Sequence, residues 1–331
     1  MPERRRSLLP AHHLFTPNSA ITFESPGDYR LQVDPDGNTR VTVERGNLTV
    51  SAGGGQIGMN AGEEMVIDGI DSPRYDFVSR SSADAWDRWV DGRYGRIQHS
   101  ASYHYVSNGI VGAEDLDTYG SWSQVPQYGM VWSPSRVEAG WTPYQQGHWV
   151  WQDPWGWTWV NEQPWGFAPS HYGRWAWIDG RWGWVPGPRS YRPVYAPALV
   201  AFLEVAGGAI GWFPLGPSDV YYPTYNVSSN YFRAVNISNT VVNTTTVSNG
   251  YNSYGRANAV PLAQGAYRNR TVPTAVTAVP QDVFVNSRPV REARRESREL
   301  SAATPPRGMQ LRRSLGVRPG RASVLGAAPQ A

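Results

Sequence analysis

The residues best suited to metal or acid–base chemistry are six histidines and one acidic cluster. The histidines are His12, His13, His99, His104, His148 and His171; the cluster is Glu114, Asp115 and Asp117. A helical zinc site places two histidines one turn apart around a glutamate, and no H-E-x-x-H occurs. The carboxylates offer oxygen ligands to Ca²⁺, but the glycine-turned D-x-D-x-D-G loop is missing, so the cluster reads as solvated or helix-capping. No G-x-S-x-G sets up a serine nucleophile. The chain has no Cys, which removes thiolate catalysis, thiolate metal sites and disulfides. Glu138 and Asp153 are a carboxylate pair of the kind that flanks a glycosidic bond in a cell-wall glycan hydrolase, yet nothing in the spacing selects them over another pair. Gly53, Gly55 and Gly58 spell G-x-G-x-x-G, but Met59-Asn60-Ala61-Gly62 leads into a strand where a dinucleotide site needs a helix N-terminus, so they read as a hairpin turn. The expectation is a non-enzymatic protein with no catalytic residue, metal or cofactor.

What remains is stacking chemistry. Eleven of the sixteen Trp lie between Trp141 and Trp184. Pro143, Gly147, Trp149, Trp151 and Asp153 recur as Pro169, Gly173, Trp175, Trp177 and Asp179, an offset of 26; beyond them Gly156-Trp157 is matched to Gly183-Trp184. A Trp-x-Pro element recurs at Trp132, Trp141, Trp184 and Trp212, with Phe167 standing in once. Such self-similarity marks one supersecondary unit used repeatedly. Trp149 and Trp151 alternate with polar or small residues, as do Trp157 and Trp159, so period two puts the rings on one strand face. Asp153-Pro154-Trp155-Gly156 and Asp179-Gly180 supply the turns. Two β-hairpins follow, each with an indole face. Two readings stay open for that face: interleaved core, or an exposed platform of Trp149, Trp151, Trp157, Trp159, Trp175, Trp177, Trp182 and Trp184 that stacks on a ligand.

The fold expected around these rings is mostly β. Residues 1–15 read as disordered. Residues 16–69 form short strands with turns at 34–38, 45–47, 53–55 and 61–62. Residues 70–97 are a linker and a short helix, Ser82 capping Ala83–Tyr94 with Trp86, Trp89 and Val90 on the face that docks on a domain surface. Residues 98–225 are the Trp-rich hairpin module, in which Ala198–Val205 adds a strand. Residues 226–250, rich in Asn, Thr, Ser and Val, read as an edge strand, a β-stacking segment or a linker. Residues 251–331 read as a disordered Arg-rich tail with a short helix over Arg291–Leu300. All thirty basic residues are Arg and the net charge is +3. Aromatics do not interleave with the tail arginines, so no specific nucleic-acid partner is expected. No apolar run is long enough for a transmembrane helix, nor does one of signal-peptide length follow Met1–Arg6. The oligomeric state is not legible.

Thr16-Pro17-Asn18, Ser25–Arg30, Val33-Asp34 and Gly46-Asn47-Leu48 resemble the second half of FecR-type β domains. Gly112–Gly120 and Pro164–Pro169 resemble the Trp-rich module that follows such domains in exported proteobacterial proteins of unknown function. The resemblance spans roughly residues 16–225. It implies a periplasmic or extracellular protein that binds or scaffolds a cell-wall glycan or another envelope protein. It also implies, as an alternative, a FecR-like envelope sensor. On this resemblance the FecR domain is N-terminally truncated and residues 16–69 keep unpaired strand edges.

Overall fold

The computed structural model describes residues 12–205, 208–254, 259–261, 267–272, 274–293, 310–312 and 318–320. The chain is mostly β and divides into two compact units, residues 1–92 and 93–331.

The first unit holds two antiparallel four-stranded sheets. One has the order β1 (His12–Phe15), β2 (Ala20–Phe23), β5 (Asn47–Ala52), β6 (Gly55–Asn60); the other has β3 (Asp28–Val33), β4 (Thr39–Arg45), β7 (Glu64–Asp68), β8 (Arg74–Val78). Alternation decides which side chains go inward. Ile21, Leu48, Val50 and Met59 from one sheet meet Val41, Val43, Met65 and Ile67 from the other in a single core. The glycine triplet closes the β5–β6 hairpin with Gly53 and Gly54 at positive φ, the conformation such a turn requires.

Two expectations at the ends of this unit are corrected. His12–Phe15 pairs with β2 and so is ordered strand, while the rest of 1–15 lies outside the described residues. Within the expected linker, Arg74-Tyr-Asp-Phe-Val78 pairs along β7 from Asp68 to Glu64. Both added strands have exposed side chains throughout, so no buried face marks them in the sequence.

Helix α1 runs over Ala85–His99, later and longer than expected. Asp84, not Ser82, is its cap. The Asp84 carboxylate accepts from the Trp86 and Asp87 amides at 2.7 and 3.1 Å, and Asp87 reaches back to the Asp84 amide at 2.9 Å. This reciprocal arrangement satisfies orphan amides. Arg30 bridges both carboxylates at 2.7 Å, and its hydrogen bond draws the Asp84 carboxyl down to about 2. Trp86 and Trp89 are exposed and stacked 5.1 Å apart; no residue of α1 is buried.

In the second unit the Trp-rich stretch forms both expected hairpins. β11 (Gly147–Gln152) pairs with β12 (Gly156–Asn161) as its own two-stranded sheet. β13 (Arg174–Ile178) pairs with β14 (Arg181–Val185), continuing through β10 (Gly129–Pro134) to β9 (Gly120–Val125). Short helix α2 (Leu116–Tyr119) leads into β9, and α3 (Phe167–His171) joins β12 to β13. A third sheet pairs β15 (Val200–Val205) with β16 (Ala209–Pro214) and adds β17 (Ala259–Pro261), β18 (Thr277–Pro280) and β19 (Gln310–Arg312).

Two further expectations fail here. Residues 226–250 form helices α4 (Ser229–Ile237) and α5 (Thr244–Tyr254), not strand or linker. Ser228 caps α4 by accepting from the Tyr231 amide, and Phe232, Val235 and Asn236 are its buried side chains. The Asn residues that suggested irregular chain instead satisfy buried backbone. The expected tail is partly core: β18 pairs with β16, and α6 (Gln281–Val285) places Phe284 against Trp149 and Trp157. Residues 290–293 are helical; the rest of the Arg291–Leu300 helix lies outside the described residues, and farther along the tail only 310–312, as β19, and 318–320 are described.

Candidate functional site

The two hairpins show how the indoles are placed. Their cross-strand pairs are Trp149–Trp159 and Trp151–Trp157 in one, Trp175–Trp184 and Trp177–Trp182 in the other. Trp157 therefore corresponds to Trp182 and Trp159 to Trp184, which corrects the Gly156–Gly183 match. The first loop has three residues, Asp153 to Trp155, and the second has two, Asp179-Gly180. The offset shortens by one because the turn does. Gly147 and Gly173 occupy equivalent places for one reason. A Cβ on Gly147 would lie 2.6 Å from the Trp159 ring, and one on Gly173 would lie 2.5 Å from Trp184 Nε1. Each glycine lets the backbone pass close to the partner strand's indole.

The second hairpin extends into a row of rings. Register aligns Trp175 with Trp184, Trp184 with Trp132, and Trp132 with Trp122 across all four strands. Directly paired residues share a sheet face. Each indole N–H in the row has its own acceptor. Trp175 donates to Pro169 O at 3.1 Å, Trp184 to Tyr172 O at 2.8 Å, Trp132 to Leu116 O at 3.0 Å, and Trp122 to Ser102 Oγ at 3.0 Å. The row thus anchors the β12–β13 connection twice and α2 and the 3-10 turn at Ala101–His104 once each. Trp175, Trp184 and Trp132 are buried; Trp122 is half-buried at the end of the row, 4.9 Å from the Tyr105 ring.

This geometry corrects most of the platform. Trp149, Trp157, Trp159, Trp175, Trp182 and Trp184 are all at most 3% exposed and belong to one core with Trp212, Phe202 and Phe284. Such rings have no face left for a ligand. Burying an indole gains on the order of 4–6 kcal/mol gross; the third sheet and α6 supply Phe202, Trp212 and Phe284 against the first hairpin's rings, and Trp122, Trp141 and Trp165 lie against Trp184 and Trp175 of the second. Trp151 is half-buried, edge-on to Trp157, and Trp177 is 38% exposed at the tip of its hairpin. The two hairpins lie in different sheets, so the eight rings make no continuous outer face.

The other candidate residues have structural partners. Glu138 pairs with Arg291 at 2.8 Å, and Asp153 accepts from Trp151 Nε1 at 3.1 Å. Glu114 is buried rather than solvated, accepting from the Tyr103 hydroxyl at 2.9 Å beside Arg93 at 2.7 Å; desolvation and this carboxylate push the Tyr103 hydroxyl well up. Asp117 caps the 3-10 turn at Ala101–His104 by accepting from the Ala101 and Ser102 amides at 2.9 and 3.0 Å, and it takes the Ser102 hydroxyl as well. His148 lies 3.9 Å from Glu162. His171 is buried, its Nδ1 2.8 Å from Ala196 O, and desolvation lowers it to about 4. Among the described residues, no group of three His, Asp or Glu is arranged to hold a metal ion.

The open site lies at the end of the indole row. A cleft of 600 Å³ is lined by Tyr105, Tyr128, Met130, Pro186, Arg189 and Arg268 with neighbouring polar groups. A second, of 510 Å³, is lined by His99, Ser100, Tyr103, Asn108 and Arg189 among others. Both volumes are in the range of ligand sites. His104 and Arg189 line both clefts, so the two lie side by side along a trough. Arg189 Nη1 donates to His104 O at 2.7 Å and fixes the guanidinium at the junction. The first cleft takes Thr240 and Val241 from the connection after α4 and Arg268 from the expected tail, neither of which reads as site from sequence. Asn239 holds that connection in place: its Oδ1 accepts from the Gly173 amide at 2.9 Å, and its Nδ2 donates to Val194 O and Val235 O at 2.9 and 2.8 Å. No local sequence signal points to the trough, whose lining comes from segments far apart in the chain.

No helix among the described residues is long and apolar enough to cross a membrane. No curated protein and no solved structure matches the chain. A family model, Family of unknown function (DUF6600), matches residues 113–219, which include the indole row and one wall of the trough.

Proposed function

We propose that this protein is a non-enzymatic binding component of the bacterial cell envelope whose recognition surface is the trough, not the indole face. The ligand class is an extended glycan strand. One observation carries this reading: tyrosines 103, 105 and 128 line two joined clefts whose other polar groups include Asn108, Gln127, Ser218 and Thr240. Aromatic faces suit the apolar faces of sugar rings, and neutral side-chain donors and acceptors suit hydroxyls. The indole core serves as scaffold, because its row fixes the turn that carries Tyr103 and Tyr105. Among the described residues no carboxylate lines either cleft, so they offer no pair for the two-carboxylate chemistry of glycoside hydrolysis there. The FecR-like resemblance of residues 16–69 supports the envelope setting.

The test is titration of the full chain with peptidoglycan fragments and soluble polysaccharides, read by tryptophan emission and by calorimetry. Saturable binding is expected, weakened by Tyr105→Ala and Tyr128→Ala and unchanged by Trp177→Ala. Absence of binding by any glycan to the folded protein would overturn the proposal. Binding lost only in Trp177→Ala would return the site to the hairpin tip.

A further inference from the structure

The structure assigns the trough a charged ligand: we infer that it takes a glycan strand bearing carboxylates, with Arg189 and Arg268 as the anion anchors. This rests on the glycan reading above and deepens it. The chain has 30 Arg and 27 acidic residues, so cation and anion are nearly balanced overall. The trough is not balanced. Among the described residues its lining includes Arg189, Arg268, His99 and His104 and no Asp or Glu.

The two guanidiniums are held in different ways. Arg189 sits where the clefts join, with one N–H committed to His104 O; a guanidinium has five such donors in a planar fork. Arg268 lies in the first cleft, its backbone amide 3.4 Å from Asp219 Oδ1. The Asp219 carboxylate attracts Arg268 from behind, but it is 5% exposed and its Oδ2 takes the Gly216 amide at 2.7 Å. It therefore belongs to the wall and is not itself presented to a ligand in the cleft. In the second cleft, Ser100 is buried and its hydroxyl has no hydrogen-bond partner among the described residues. A buried hydroxyl left unpaired costs free energy that a ligand oxygen recovers. A planar carboxylate matches the arginine fork with two parallel hydrogen bonds. The tyrosines and neutral amides between the charges favour a carboxylated sugar strand over an acidic peptide.

The experiment compares oligogalacturonate, its methyl ester and a neutral dextran oligomer on the full chain, with oligoglutamate as the peptide control. The acid should bind roughly tenfold or more tighter than the ester, the scale of one charge-assisted hydrogen bond pair. That preference should shrink as salt rises. Arg189→Gln and Arg268→Gln should each remove most of it, and the double variant all of it, while ester binding stays unchanged. Thermal unfolding verifies that each variant folds. Equal binding of acid and ester, or a preference intact in the double variant, overturns the carboxylate inference and leaves the glycan reading standing. Oligoglutamate binding as tightly as the sugar acid overturns the ligand class. Absence of binding by all three sugars removes the glycan reading itself.

Discussion

The two units solve the same problem with different materials. The first packs Ile, Val, Leu and Met between two sheets. The second packs Trp with Phe and Tyr across several sheets and helices. Aliphatic side chains need matching volume and no partner. Indoles need volume, tilt and an acceptor for a buried N–H. The second unit meets the last requirement unevenly. All four rings of the row have acceptors, whereas among the described residues Trp141, Trp149, Trp159 and Trp182 have none at Nε1. Each of these four lies against a neighbouring ring at a steep angle, Trp149 with Trp212 at 79° and Trp182 with Trp177 at 65°, for example. An aromatic edge is the positive side of the ring quadrupole, so such pairs recover part of what a missing carbonyl would supply. An aliphatic core is a matter of filling; an indole core is a matter of aiming.

The contrast is broken most severely by Trp132→Ala. It empties the middle of the row and should cost about 3–5 kcal/mol, confined to the second unit. Denaturant unfolding should then show two transitions with only one displaced; displacement of both by the same amount would refute independent cores. Asn239→Ala should cost about 1–3 kcal/mol by leaving the buried Gly173 amide and two carbonyls unmet. The same probe should detect it, and an unchanged midpoint would remove Asn239 from the support of the trough.

The pH dependence of the second unit sharpens the comparison further. His171 is held down at about 4 from 6.5 by burial. As pH falls below 6.5 the unfolded chain takes up a proton that the folded chain refuses, and stability is lost down to about 4. Asp219 is pushed up to about 6 from 3.8 by burial. Between those values the folded chain keeps a proton that the unfolded chain has released, so this contribution is lost as pH rises. The two oppose each other between about pH 4 and 6. His171→Phe keeps a ring on Tyr195 and removes the titrating group, so its melting temperature should fall from pH 4 to pH 6. A melting temperature that rises over that interval would contradict the assignment.

In the aliphatic unit, Ile67→Val should cost only about 0.5–1.5 kcal/mol and leave the second transition in place. The smallest effect belongs to the surface. Glu138→Gln breaks an exposed pair with Arg291 and should shift stability by less than about 1 kcal/mol, with glycan binding untouched.

Legibility in the sequence follows the same division. Turn residues and period-two alternation placed the strands from Tyr29 to Asp68 and both hairpins, because those signals are local. β1 and β8 escaped because no buried face marks them. Helices α4 and α5 escaped because the Asn, Thr, Ser and Val of 226–250 read as strand or linker, while Asn236 and Asn239 satisfy backbone groups of other segments. The segment around Phe284 escaped for a related reason: little local apolar pattern surrounds a ring whose partners are Trp149 and Trp157. The eight candidate indoles were rightly grouped on hairpins, but whether they faced solvent depended on other segments, for Trp149 and Trp157 on Phe284 more than a hundred residues away. The trough was illegible because its walls converge from residues 97–108, 127–130, 185–189, 217–218, 240–241 and 268.

The closely spaced rings have an optical consequence. Trp122 lies 6.0 Å from Trp184 and 4.9 Å from Tyr105 at the trough. At such separations excitation passes between indoles before it is emitted. Light absorbed deep in the second unit is therefore reported by its wettest rings, Trp122 among them, and a guest beside Tyr105 would dim far more of the spectrum than one fluorophore accounts for.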